Sequence, residues 1–311
     1  MYDEVKYQYR TVCELRQEGC DTCQIHWQEV VRARDHESNR GEFDVVYCRR
    51  CRLGFTDPYP TEETSGYLYD NKEYNDLDAI VHDSPFDCIK DLLRRRQIAR
   101  LAPRNQVRVA LDFGTGDGRS AVAMTKVFPG ARIDAMDIRT TLPRFLKRDG
   151  CRVNYYSQTA FTRHHQQYDL IIARHVLEHA HHPVRLVKQL SERLTSNGIL
   201  YIEVPNLDSG CATFFGKHWR GYYVPQHIFH YTIESLAEVT KRAGLEAEMG
   251  RTEMPLMGNM VAILTGANMT SVVVRCLGVI LHPCQLAIEA FCKSSTCITA
   301  RCKQPGIVVR P

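Results

Sequence analysis

The chain has 311 residues, enough for one catalytic domain with a small accessory module. Its hydrophobic content of 44% and charged content of 24% are those of a globular protein, and its formal charge of +4 lacks the basic excess that duplex binding needs, so nucleic acid is not the expected partner. The charged opening MYDEVKYQYR has no apolar core and does not read as a secretory leader, and thirteen cysteines then point to a reducing, cytoplasmic setting.

The first region, residues 1–60, holds two CxxC pairs, Cys20 with Cys23 and Cys48 with Cys51. Zinc takes four soft ligands in a tetrahedron, and each CxxC bend supplies two thiolates, so these four cysteines are the expected ligands of a structural zinc ion. The strand-like GEFDVVYC runs straight into the second pair, as a zinc ribbon requires, and Cys13 and His26 lie nearby as spare ligands. The turn-rich DPYPT closes the module. Residues 61–105 read as a helical linker or cap that includes Tyr74 and the amphipathic run CIKDLLRRRQIARL, with Arg94-Arg95-Arg96 a solvated face.

From residue 106 to 311 short apolar runs alternate with helical segments, which predicts βαβ units and a mostly parallel sheet. VRVALDF, ARIDAMDI, CRVNYY, YDLIIARH, GILYIEVP, LEAEMGRT and STCITARCK are the expected strands. VLEHAHHPVRLVKQLSERL reads as helical, with His181 and His182 in a turn before Pro183, and an apolar helical insertion is expected at about 256–294. The most apolar stretch, Ser271 to Cys292, is interrupted by Arg275, His282, Pro283, Gln285 and Glu289. Its longest uncharged run falls short of the ~20 residues that span a bilayer, so no membrane span is expected.

The first of these strands ends in Asp112-Phe-Gly114-Thr115-Gly116-Asp-Gly118, a glycine turn that opens a helix. Glycines there let a ligand approach the backbone, and the helix start offers N–H donors. Asp137 ends the next strand about 20 residues on, where a carboxylate can accept both ribose hydroxyls of an adenosine, with Ile138 beside it. That geometry suits nicotinamide and S-adenosylmethionine (SAM) enzymes alike.

The ordered series DFGTGDG, AMDI, YDLIIARHVLEHAHHP, GILYIEVPN and VPQHIFHYTIESLAEVTKRAGLE resembles class I SAM-dependent methyltransferases over residues 105 to 250. The resemblance implies a Rossmann-like seven-stranded α/β sandwich. It also implies SAM held by Asp112, Gly114, Thr115, Gly116, Gly118, Asp137, Ile138, Arg174 and His175. Ser157 and Gln158 depart from the pattern, where such families often carry an acidic residue near the adenine. The N-terminal YCRRCRLGFTDPYPTEETSGYLYDNKEYN resembles the zinc knuckle and linker ahead of bacterial sugar and surface-glycan methyltransferases. It implies a small hydroxylated acceptor such as a nucleotide-linked sugar or a glycan or natural-product precursor. RNA methylation and a non-catalytic SAM-binding role are the alternatives, and a homodimer stays open.

Methyl transfer from a sulfonium needs alignment and a proton acceptor. Beyond strands four and five stand His175, His179, His227 and His230, with Tyr74, Tyr222 and Tyr223 as wall residues. His227, fixed behind Pro225, is the expected base, and His230, His179 and Tyr74 are its companions. His175, Glu178 and His179 at i, i+3 and i+4 could converge with His227 on a divalent ion. That arrangement resembles the Glu-x-x-Glu-His metal motif of small-RNA 3′-terminal 2′-O-methyltransferases, with His175 in place of the first glutamate. The simpler expectation is that Glu178 and His179 line the pocket without metal, while His181 and His182 lie on the surface.

Overall fold

A computed structural model describes residues 9–10, 27–35, 41–65, 87–148, 152–254, 257–266 and 272–306. Cys20, Cys23 and Tyr74, along with Cys13 and His26, lie outside the described residues.

The N-terminal strands are β1 (Trp27–Arg34), β2 (Glu42–Cys48) and β3 (Leu53–Asp57), an antiparallel meander. The catalytic half supplies seven strands: β4 (Val109–Phe113), β5 (Arg132–Asp137), β6 (Val153–Ser157), β7 (Tyr168–Arg174), β8 (Leu194–Pro205), β10 (Glu246–Thr252) and β11 (Cys297–Lys303). Their order is β10-β11-β8-β7-β4-β5-β6; β11 runs antiparallel to both neighbours, and β8 through β6 are parallel. The chain leaves β4 toward β5 on one side and returns to β7 on the other. The crevice beyond the carboxyl ends of β4 and β7 is therefore the switch point where such sheets take ligands.

The sheet is buried on both faces, which explains the continuous apolar runs of its central strands. In β7, Leu170 and Ile172 join a core with Ile98 of α1 (Asp87–Ala99) and Met124 of α2 (Arg119–Val127). The alternate residues Ile171 and Ala173 pack with Leu190 of α5 (Pro183–Ser191) and Leu236 of α7 (Ile233–Arg242). Between these lie the short helices α3 (Arg144–Arg148), α4 (Gln158–Thr162) and α6 (Gly210–Phe215). Three helices, α8 (Met257–Thr265), α9 (Val272–Ile280) and α10 (His282–Phe291), stand between β10 and β11. No helix among the described residues is long and apolar enough to cross a membrane.

Two features depart from expectation. The segment after β7 does not carry His175, Glu178 and His179 on one helix face. His175 takes a left-handed φ of 51°, Leu177–His179 form a single 3-10 turn, and α5 starts only at Pro183, whose missing N–H suits a first turn and not a helix interior. The other concerns Phe229–Tyr231, which form a strand, β9, pairing antiparallel with β3 (Phe229 with Phe55, Tyr231 with Leu53). The N-terminal meander and a piece of the catalytic half thus share one sheet, ordered β9-β3-β2-β1.

Candidate cofactor and acceptor site

β4 delivers Asp112 to the crevice, and the chain then turns through Gly114 (φ 73°) and Gly116 (φ 57°) before α2. A Cβ on Gly114 would stand 2.4 Å from Val176 Cγ2, whereas one on Gly116 would meet nothing within 4 Å. Gly114 is thus glycine for conformation and close packing, and Gly116 for conformation with open space in front of it, as a ligand cradle needs. The turn is pinned to β5 by Gly114 N and Thr115 N, each donating to Met136 O at 2.9 Å. Thr115 Oγ1 donates to Asp112 Oδ2 at 2.5 Å.

Asp112 is buried, and the desolvation raises its carboxyl to about 6 against the opposing Thr115 hydrogen bond and the charge of Arg174. Arg174, at the end of β7, has Nε and Nη2 buried without a hydrogen-bond partner; Nε lies 3.6 Å from Glu203 Oε2, an ion-pair distance. A buried carboxylic acid awaiting a cation and a guanidinium lacking acceptors complement the ammonium and carboxylate of an amino acid. The methionine end of SAM carries both groups. Ile138 is 45% exposed next to Asp137, an apolar surface suited to a planar base.

Asp137 is already engaged. Its Oδ2 accepts from Gly116 N at 2.8 Å, and its Oδ1 accepts from Arg139 N and Nε, each at 3.3 Å. The Arg139 guanidinium also donates to Gly116 O. A ribose hydroxyl bound at Asp137 would share the carboxylate with Arg139, a residue that sequence patterning did not single out.

His175 lies between two carboxylates, with Nδ1 3.2 Å from Glu178 Oε1 and Nε2 3.6 Å from Glu203 Oε1. Burial opposes its charge, but the hydrogen bonds to Glu178 and Glu203 prevail and raise it to about 10. Glu203 is correspondingly lowered to about 2, burial being outweighed by His175 and Arg174. Its other oxygen accepts from Tyr201 Oη at 2.7 Å and from Gln97 Nε2 of α1 at 3.0 Å. Glu203 was not among the expected site residues; its only sequence signal is an acidic residue near the end of an apolar strand.

Glu178, His179 and His227 converge, each offering an atom within 4.8 Å of the others'. The 3-10 turn carries Glu178 and His179. The loop 223–228 carries His227 and is tied to that turn by Ile228 N donating to Glu178 O at 2.8 Å. Burial lowers both imidazoles, so they are neutral. Tyr223 (φ 40°) stands edge-on to His227 with ring centroids 5.1 Å apart.

The other expected companions are placed elsewhere. His230 Nε2 is 2.9 Å from Thr56 Oγ1, which itself donates to His227 O at 2.6 Å, so His230 supports the loop from the β3 side. Burial lowers it to about 3. Tyr222 packs in a core with Trp219, Phe43 and Val45. His181 is not a bare surface residue: its Nε2 bonds Pro60 O at 2.8 Å. In the N-terminal meander Cys48 and Cys51 bracket the β2–β3 turn. Cys51 N donates to Cys48 Sγ at 3.5 Å, and Cys48 is disulfide-bonded.

This sheet order, with a glycine turn and acidic strand ends at its switch point, defines an α/β enzyme of the nucleoside-cofactor class. Residues 89–248, more than half of the chain, match the family described as a methyltransferase domain, and the chain belongs to that family. It is a SAM-dependent methyltransferase. Similar solved structures share its fold at low identity. The [4+2]-cyclase SpnF is 16% identical at a TM-score of 0.52, over 79% of this chain and 97% of that one. The plantazolicin methyltransferase BamL, solved with a triazolic desmethylPZN analog and SAH, is 13% identical at a TM-score of 0.46, over 78% and 90%. The mitomycin 7-O-methyltransferase MmcR is 16% identical at a TM-score of 0.47, over 69% and 54%. A search of curated proteins found no match.

Proposed function

We propose that the chain methylates a hydroxyl of a small metabolite, a nucleotide-linked sugar or a glycan or natural-product precursor, with SAM held by Asp112, Arg174, Asp137, Ile138 and the glycine turn. The observation that carries this reading is the Glu178–His179–His227 centre, walled by Tyr223 at the carboxyl end of β7 next to the glycine turn. The acceptor oxygen forms a bond to the SAM methyl carbon while the carbon–sulfur bond breaks, its electron pair staying on sulfur. The acceptor's proton passes to the centre, where His227 Nε2 is the expected acceptor, because Nδ1 is bound to Gly221 O at 2.9 Å. The mild net charge supports a small acceptor over RNA.

The test is transfer of labelled methyl from SAM to a panel of nucleotide sugars, glycan precursors and RNA. His227→Ala should keep SAM affinity and lose ~10²–10⁴-fold in turnover. Labelling of RNA alone would replace the small-molecule reading.

The second part of the proposal is a structural zinc on Cys20, Cys23, Cys48 and Cys51. It is supported by the CxxC bend and the amide-to-sulfur bond at Cys48; the Cys48 disulfide would have to be reduced first. Elemental analysis of chelator-free protein purified under reducing conditions should find one zinc per chain that is released by Cys51→Ser. Metal-free protein with an intact disulfide would overturn it.

A further inference from the structure

From the geometry of Glu178, His179 and His227 we infer a binding site for a divalent first-row transition cation, whose remaining positions take oxygen atoms of the acceptor. The inference rests on the methyl-transfer reading for the cation's use but not for its binding. With the cation bound, the His227 Nε2 lone pair is a ligand and no longer the proton acceptor; the acceptor hydroxyl, acidified by coordination, gives its proton to water.

Each group is prepared as a ligand by what holds its other end. His227 Nδ1 bonds Gly221 O at 2.9 Å, and His179 Nδ1 bonds Gln226 O at 2.8 Å. A backbone carbonyl can only accept, so both rings carry the proton on Nδ1 and present Nε2 as the lone-pair nitrogen. Metal-binding histidines are oriented by this kind of outer bond. Glu178 Oε1 is 3.2 Å from His175 Nδ1, while Oε2 is buried with no hydrogen-bond partner, on a residue that is 0% exposed. A buried carboxylate oxygen without a donor is costly, and a cation is a partner that would remove the cost.

The separations suit an ion. Three atoms no more than 4.8 Å apart lie within about 2.8 Å of a common point (4.8 divided by √3), and movements below an ångström bring them to the ~2.0–2.2 Å of metal–nitrogen and metal–oxygen bonds. Two imidazoles with one carboxylate favour zinc, cobalt, manganese or iron(II) over magnesium and calcium, which prefer oxygen. Three protein ligands leave coordination positions open, as a substrate-binding site needs. His175 then serves as the outer partner of Glu178, and the 3-10 turn in place of a helix lets Glu178 and His179 meet a residue 48 positions later in the chain.

Cobalt(II) titration of the full chain, without SAM or acceptor, tests this by absorption and calorimetry. Replacing Cys20, Cys23, Cys48 and Cys51 together by Ser removes the proposed thiolate ligands, and this variant should still bind one cobalt, with ligand-field bands and no thiolate charge-transfer band. Glu178→Gln in that background should raise Kd more than ~100-fold, beyond the loss of an outer partner alone. His227→Gln should do the same, so the result does not depend on one buried variant folding. A chain with these four cysteines replaced that binds SAM but no cobalt overturns the cation site and leaves methyl transfer standing. Cobalt binding without methyl transfer to any acceptor would leave the site standing and remove the methyl-transfer reading.

Discussion

Asp112 and Asp137 are both acidic residues at strand ends, yet their surroundings give them different behaviour. Asp112 titrates at about 6 because it is buried. In the proposed site SAM's ammonium would favour the ionised carboxylate, making the bound pKa lower than the free one. Affinity is therefore full above pH 6 and lost as the pH falls through it. Calorimetry should find SAM binding about tenfold weaker at pH 5 than at pH 7, with the slope abolished in Asp112→Asn. The same raised pKa makes the SAM-free fold less stable as pH rises from the unfolded value through 6, so SAM's stabilising effect grows over that interval. A flat affinity profile would mean that the ammonium does not meet Asp112. Asp137 bears on a competition. Asp137→Ala should cost SAM binding ~1.5–3 kcal/mol through lost charge-assisted bonds. Arg139→Ala should tighten binding, because the guanidinium that spans Asp137 and Gly116 O is then gone. Weaker binding in Arg139→Ala would show that Arg139 holds the cofactor and does not compete with it.

At the scale of elements, the sequence disclosed what is local and missed what is not. The glycine turn was legible because strand, turn and helix start follow one another within eleven residues, 109 to 119, and no tertiary contact is needed to recognise them. The run of seven strands was legible from apolar alternation. The helix face expected for His175, Glu178 and His179 failed because His175 is left-handed and only a 3-10 turn follows it, whereas the break before Pro183 was legible from the proline. β9 was invisible: Phe229–Tyr231 is three residues long and pairs with residues over 170 positions earlier. This pairing has an energetic consequence. Thr56 Oγ1 joins His227 O and His230 Nε2 across it, and Thr232 Oγ1 donates to Arg52 O at 2.8 Å. Thr56→Val keeps the shape and removes the hydroxyl, leaving two buried polar atoms unsatisfied. Urea unfolding should show a loss of ~1–3 kcal/mol, and turnover should fall as His227 loosens. Unchanged stability would mean that water replaces the hydroxyl.

At the scale of the whole molecule, the N-terminal meander reads in sequence as a separable zinc module, and the described part of it is built into the catalytic half. Leu53 and Phe55 share a core with Phe229, Tyr231 and Ile228, and Ala33, Phe43 and Val45 share another with Trp219, Tyr222 and Val224. Arg52 adds ion pairs to Asp208 at 2.6 Å and Glu234 at 3.2 Å, though both are solvent-exposed and worth little. Deleting residues 1–60 uncovers Phe229, Tyr231, Trp219 and Tyr222, each 4% exposed or less in the intact chain. Full exposure of such side chains costs ~1.5–3 kcal/mol apiece. Even half of that for four residues amounts to about 3–6 kcal/mol, much of the ~5–15 kcal/mol that holds a domain folded. The same deletion removes Thr56 from beneath His227. The expected outcome is a truncated protein that is poorly soluble or melts far below the full chain and binds SAM weakly. Chelation is a separate matter: removing the proposed zinc from the reduced, intact chain should loosen the cysteine end while the β3–β9 pairing persists. A truncated chain with an unchanged melting temperature and normal SAM affinity would show that the meander is an appendage, and that the 223–228 loop is held by the catalytic half alone.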